Sequence, residues 1–184
     1  MRLYLVRHAE AEAGDVDAER QLTAQGRADA RRLAEVLRPV NVSVSEVWHS
    51  GYQRAAQTAE PIAQVLGGAT LRAHEGLTPF DRTRTIAKLV NRHKGDLMIV
   101  GHEPFLGKLA ARLVTGRASR GVAKLDKPSV VCLDDAGRGE WRIRWMLSRD
   151  LTAPREAPAP RDASADEAHS VDNATPRATD GPAA

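Results

Sequence analysis

The stretch Leu3-Tyr4-Leu5-Val6-Arg7-His8-Ala9-Glu10 constrains the fold of this chain more than any other. Leu3 to Val6 is apolar at every position, so neither face of the segment can lie in water. It reads as a strand covered on both sides, as in a parallel sheet packed between helices. The run ends abruptly in Arg7 and His8, where the carboxyl end of the strand would be, and open α/β sheets carry their chemistry along that edge. Arginine offers a planar fork of donors suited to phosphate oxygens. Histidine offers a ring nitrogen that is largely neutral near pH 7 and therefore nucleophilic. The bland alternative is a strand followed by a charged surface turn.

The remaining pattern alternates strands and helices. The polar stretch Ala11–Gln21 has no apolar periodicity and reads as an exposed loop. Thr23 is an N-cap for a helix from Ala24 to about Arg38, with Ala30, Leu33, Ala34 and Leu37 on one face and Pro39 as its stop. Val42–Trp48 alternates as a second strand and runs into His49-Ser50-Gly51. A helix from about Tyr52 to Leu66 follows, with Ala55, Ala59, Ile62 and Leu66 inward and a kink or restart expected at Pro61. Ala69–Ala73 predicts a weak strand, and Arg84–His93 a helix with Ile86, Leu89 and Val90 inward. Asp96–Val100 predicts a buried strand. Pro104, at a first helical position, opens a helix to about Val114, with Leu106, Leu109, Ala110 and Leu113 inward. Ser129–Leu133 and Trp141–Leu147 flank a turn at Asp134–Gly139 and predict a hairpin. The expected fold is a three-layer α/β sandwich: a mostly parallel sheet with helices on both faces and antiparallel edge strands near the C-terminus.

Composition narrows the function classes. Three arginines and six acids give residues 151–184 a net charge of −3, which leaves +6 on residues 1–150 of a chain that is +3 overall. A basic body suits an anionic ligand, yet aromatics are only 4% and the arginines are scattered, which argues against a base-stacking nucleic-acid surface. No run approaches the roughly 20 apolar residues that span a bilayer, and Arg7 cuts the first apolar run too early for a signal peptide. The single cysteine, Cys132, lies in an apolar run and reads as a buried thiol of a cytoplasmic protein. Residues 1–150 are expected to form one catalytic domain and residues 151–184 an Ala/Pro/Asp-rich disordered tail. The histidines and the one cysteine lack metal-ligand spacing, and no phosphate-loop or dinucleotide glycine pattern occurs, so no metal or other cofactor is expected. His49, His74 and His93 read as structural or surface histidines, and the three tryptophans as packing residues.

Three strand ends carry matching chemistry: Arg7-His8 after the first strand, Arg54 in the first turn of the helix after the second, and His102 after Asp96–Val100. A parallel sheet brings these ends to one edge, and two histidines with two arginines around one spot suit a phosphate group. The runs LYLVRHAEAE, LTAQGRADA, SGYQRAAQTAE and MIVGHEPFL, in this order, resemble the histidine phosphatase superfamily. The short stretch between Leu66 and Asp96 is most similar to the SixA-type phosphohistidine phosphatases, and the resemblance covers roughly Met1–Leu147. It implies that His8 accepts the phosphoryl group, that Arg7 and Arg54 clamp its oxygens, that His102 gives them a further hydrogen bond, and that Arg20 lies close by. Glu75 falls where the wider superfamily often has its acid, although SixA-type members rely little on one. Ala9 stands where the family usually has glycine. Gly51 stands where proline is common, which predicts a looser start to the second helix.

The expected reaction is in-line attack of neutral His8 on phosphorus, charge stabilisation by Arg7, Arg54 and His102, and hydrolysis of the phosphohistidine formed on the enzyme. An alkoxide leaves poorly without a proton. An imidazole, with a conjugate-acid pKa of about 6.5, can leave already protonated. The favoured substrate is therefore phosphohistidine on a protein, with no nucleic-acid or membrane partner. The alternatives are a phosphomonoesterase acting on a small phosphorylated molecule, and a catalytically weak module that binds phosphorylated partners. A phosphoglycerate mutase is less expected, because the chain lacks room for insertions that would enclose that substrate.

Overall fold

A computed structural model of the protein describes residues 1–40, 42–137 and 139–152. The central strand β1 (Arg2–Arg7) pairs in parallel with β4 (Leu97–Gly101), which pairs in parallel with β2 (Glu46–His49), itself parallel to the edge strand β3 (Thr70–Ala73). On its other side β1 pairs antiparallel with β5 (Ser129–Asp135), and β5 with β6 (Trp141–Leu147). The six-stranded order is β3-β2-β4-β1-β5-β6, the expected mostly parallel sheet with an antiparallel edge. Register then builds the site: Arg7 lies opposite Gly101 on one side and Ser129 on the other. The His8 amide continues the ladder by donating to the Gly101 carbonyl at 3.0 Å, which sets His8 beside His102.

The apolar runs of β1 and β4 serve two cores at once, because alternate side chains of a strand point to opposite faces. Tyr4, Val6, Met98 and Val100 pack against α1 (Ala24–Leu37) and α2 (Gln53–Val65). Leu3, Leu5, Leu97 and Ile99 pack against α3 (Thr83–Val90) and α4 (Phe105–Thr115). The Thr23 side chain accepts from the Gly26 amide at 2.8 Å and caps α1. Gly26 also lets the helix touch the chain leaving the site: a Cβ there would lie 2.1 Å from the Glu10 carbonyl oxygen. Trp48 is buried, stacks on His74 at 4.4 Å and meets His93 edge-on at 5.5 Å, so these two histidines are packing residues. Cys132 is fully buried, and burial pushes its thiol up to about 11.

Several local expectations are corrected. β2 starts at Glu46; Val42 and Val44 keep their alternation and are buried, but they pair with no strand among the described residues. α2 runs through Pro61 without restarting, since only one amide is lost and Ala59, Ile62 and Ala63 hold the helix on the core. α3 ends at Val90, and its buried face is Ile86, Ala87 and Val90, with Leu89 turned 36% into solvent. Pro104 is the residue before α4 rather than its first position. The β5–β6 ladder reaches Asp135, so the turn begins at Ala136, two residues later than expected, with the Ala136 amide donating to the Glu140 carbonyl at 2.8 Å. Arg149–Thr152 forms the short helix α5. Beyond it, the tail expected over residues 151–184 lies outside the described residues. Among those described, no helix is long and apolar enough to cross a membrane.

Candidate active site

The carboxyl ends of β1, β2 and β4 converge on two buried imidazoles, His8 at 5% and His102 at 1% exposure, with ring centroids 4.9 Å apart. His8 Nδ1 lies 2.6 Å from the Ala9 carbonyl, which can only accept, so the proton of the neutral ring sits on Nδ1. Nε2 is left with its lone pair, and Arg54 Nε donates to it at 3.3 Å. The neighbours of His8 thus fix its tautomer. The Ala9 amide in turn donates to Thr58 Oγ1 at 3.1 Å, which ties the backbone behind the nucleophile to α2.

Arg54, only 4% exposed, enters the site from the first turn of α2. Its Nη2 donates to Asp17 Oδ2 at 3.0 Å, its Nη1 donates to the Asp17 carbonyl, and its guanidinium lies 4.9 Å over the Tyr52 ring. Gly51 makes the preceding turn with φ of +82°, a conformation proline cannot adopt, and its amide donates to His49 Nδ1 at 3.2 Å. The glycine thus forms a left-handed turn, and Tyr52 after it starts α2 without a side-chain cap hydrogen bond. Arg7 Nη1 donates to the Leu125 carbonyl, and its buried Nε has no partner among the described residues. His102 Nε2 is 2.6 Å from Ser50 Oγ, while its buried Nδ1 is likewise unpartnered. A Ser50 hydroxyl that donates to Nε2 would leave the proton of the neutral ring on Nδ1.

Both imidazoles are held far below their ordinary range. Burial is the main cause of the fall to about 3 at His8, with His102, Arg54 and Lys127 adding to it against the Ala9 carbonyl. Burial again leads at His102, also about 3, with Arg54, Arg7 and Lys127 adding to it and Asp17 opposing. Both rings are thus neutral throughout the physiological range in the ligand-free protein. Unfolding frees each to bind a proton below about pH 6.5. The stability they contribute is therefore fully present above that pH and is lost as pH falls toward 3, by roughly 1.4 kcal/mol per pH unit for each ring. We expect the His8 and His102 ring resonances to stay fixed between pH 5 and 8 in NMR titrations. A midpoint near 6.5 for either ring would contradict this electrostatic picture.

The other expected site residues divide. Arg20 is brought to the cluster, where its Nη1 donates to Asp17 Oδ1 at 2.9 Å and its Nε to the Glu12 carbonyl at 2.6 Å. Glu75 lies just beyond β3 on the same edge of the sheet, but its side chain is exposed and makes no ion pair among the described residues. Two residues went unnoticed in the sequence. Asp17 bridges Arg54 and Arg20 with its two carboxylate oxygens, and the Arg54 hydrogen bond, aided by Arg20, holds it below the usual carboxylate range against its partial burial. An acid so held stays ionised and positions arginines; it does not donate protons. Lys127 is felt electrostatically by both imidazoles. The loop carrying Asp17 and Arg20 closes at a narrow neck: Ala11 bridges Leu22, the Glu12 amide donates to the Gln21 carbonyl at 2.8 Å, and the Thr23 amide donates to the Glu10 carbonyl at 3.1 Å. No group of three or more His, Cys, Asp and Glu among the described residues is placed to hold a metal ion.

Comparison with known proteins finds likeness in sequence and in fold. The family model described as histidine phosphatase superfamily (branch 1) matches residues 3–82. Phosphohistidine phosphatase SixA of Escherichia coli (strain K12) is 27% identical over 154 residues, 80% of this chain and 94% of that protein. Among solved structures, the protein histidine phosphatase SixA complexed with tungstate superposes with a TM-score of 0.74 at 22% identity, covering 82% of this chain and 98% of its own. The alpha-ribazole phosphatase from Shigella flexneri superposes with a TM-score of 0.68 at 22% identity, covering 81% and 97%.

Proposed function

We propose that this chain, which resembles the histidine phosphatase superfamily in both sequence and fold, is a phosphatase that removes the phosphoryl group from phosphohistidine on a protein through a covalent intermediate on His8. The observation that carries the reading is the tautomer and setting of His8: a neutral ring, proton on Nδ1, lone pair on Nε2, facing a buried guanidinium. In the first step the Nε2 lone pair forms a bond to phosphorus as the bond to the substrate's imidazole nitrogen breaks, and Arg54 Nε exchanges Nε2 for a phosphoryl oxygen. The free donors of Arg7 and His102 meet charge on the equatorial oxygens. The substrate ring reacts with its other nitrogen already protonated, so that the electron pair of the broken P–N bond leaves a neutral imidazole. Water then breaks the P–Nε2 bond, which releases phosphate and restores His8. The lone buried thiol, Cys132, accords with a cytoplasmic setting.

The test is to incubate the protein with a histidine phosphoprotein bearing radiolabelled phosphate and to trap the label. We expect acid-labile label on His8; turnover without such label would refute the covalent route. Glu75 supplies a second test. Its exposed, unpaired position fits a reaction whose leaving group needs little help. Glu75→Gln should therefore keep phosphohistidine turnover within about threefold and lose more on an alkyl phosphate, up to about the 10²-fold or more of a general acid. Equal, large losses on both substrates would favour the other reading, a phosphomonoesterase for small molecules, to which the likeness to an alpha-ribazole phosphatase lends support.

A further inference from the structure

The loop ahead of β5 presents a cation that the reaction above does not use. Leu125 is fully buried; its carbonyl accepts from Arg7 Nη1 and its amide lies against the Glu103 carboxylate. Ser129, in register with Arg7, donates from Oγ to the Asp126 carbonyl at 2.8 Å. Lys127 thus stands on backbone fixed on either side of it, next to the strand end that bears His8. The residue is half-buried and makes no hydrogen bond or ion pair among the described residues. The adjacent acid, Asp126, is turned toward Lys124 at 3.8 Å.

The charges around Lys127 are mostly of its own sign. Burial leads in pushing its ammonium down, followed by Arg7, Arg20 and Arg54 in that order, with Glu10 opposing. Ser129, two residues further on, lies opposite Arg7 in the β1–β5 register, which sets Lys127 at the Arg7 end of the strand edge. Arg7, Arg54 and His102 already face the phosphoryl group. An unpaired ammonium held beside like charges is relieved by an anion, and its flexible stem and point charge suit a single carboxylate better than a forked contact.

We propose that Lys127 binds a second anionic group of the substrate, a carboxylate side chain carried beside the phosphohistidine. This rests on the phosphohistidine reading and narrows it to protein substrates with an acidic residue next to the phosphorylated histidine. The test uses two synthetic phosphohistidine peptides that differ only by Asp or Asn at the flanking position. Wild type should favour the Asp peptide in kcat/KM by about tenfold, the size expected of a partly screened ion pair. Lys127→Met should reduce that preference to within about twofold, Lys127→Arg should retain most of it, and Lys124→Met, at a side chain 90% exposed, should leave it intact. Equal losses on both peptides in Lys127→Met, or a preference that survives it, would overturn the inference. Wild type that places no label on His8 from either peptide would overturn the underlying phosphohistidine reading, an outcome told apart by the missing label.

Discussion

His8→Ala is expected to fold, to bind phosphorylated ligands, and to lose turnover by about 10⁴-fold or more, with no acid-labile phosphate on the protein. The magnitude follows from losing the nucleophile itself, as opposed to one of several groups that share the phosphoryl charge. Folding should survive because β1 remains apolar on both faces and the Ala9 amide keeps its bond to Thr58. The same variant separates enzyme from binding module. A module that only captures phosphorylated partners would keep its affinity through Arg7, Arg54 and His102 and would have had no turnover to lose. Stopped turnover with retained affinity for a phosphohistidine peptide is the enzyme's signature. Turnover within tenfold of wild type would remove His8 from the chemistry.

Arg54→Ala should be the next most damaging change, with kcat/KM down by about 10²- to 10³-fold, the usual cost of deleting a preorganised charge donor. Arg54→Lys should rescue little, because one ammonium cannot face His8 Nε2, the Asp17 carbonyl and the Asp17 carboxylate at once. A second readout distinguishes this role from simple capping of α2. Arg54 helps hold both imidazoles down, so its removal should move the titrations of His8 and His102 upward, toward 6.5. A variant within threefold of wild type, with unmoved titrations, would make Arg54 a structural residue.

The legible parts of this protein were those set by local pattern. β1 could be read because four consecutive apolar residues leave no wet face, and α1 because Thr23 caps a run with apolar residues at helical spacing. His8, Arg54 and His102 could be placed together because each follows a parallel strand, and parallel strands end on one edge. Asp17 was hidden in a polar loop without periodicity; its spacing of three residues from Arg20 was the only hint, and the ion pair with Arg54 spans a long sequence separation. Lys127 was hidden for a different reason. Its place depends on β5 running antiparallel beside β1, and no local signal declares which strand becomes a neighbour. The start of β2 and the uninterrupted α2 are likewise decided by partners and packing, which propensity does not record.

The neck closed by Ala11, Glu12, Gln21 and Leu22, with Gly26 pressed against Glu10, anchors both ends of the excursion between them, which meets the framework again where Asp17 accepts from Arg54. Closure entropy rises only by about 0.6 kcal/mol for each doubling of such a segment. Residues 13–20 therefore form an exchangeable cassette mounted on a constant reaction floor. Arg20 and Asp17 ride on the cassette while the imidazoles belong to the floor, so a replacement has to keep an acid for Arg54. Under the proposed function, substrate preference can thus be changed through one short surface insert while His8 stays where it is.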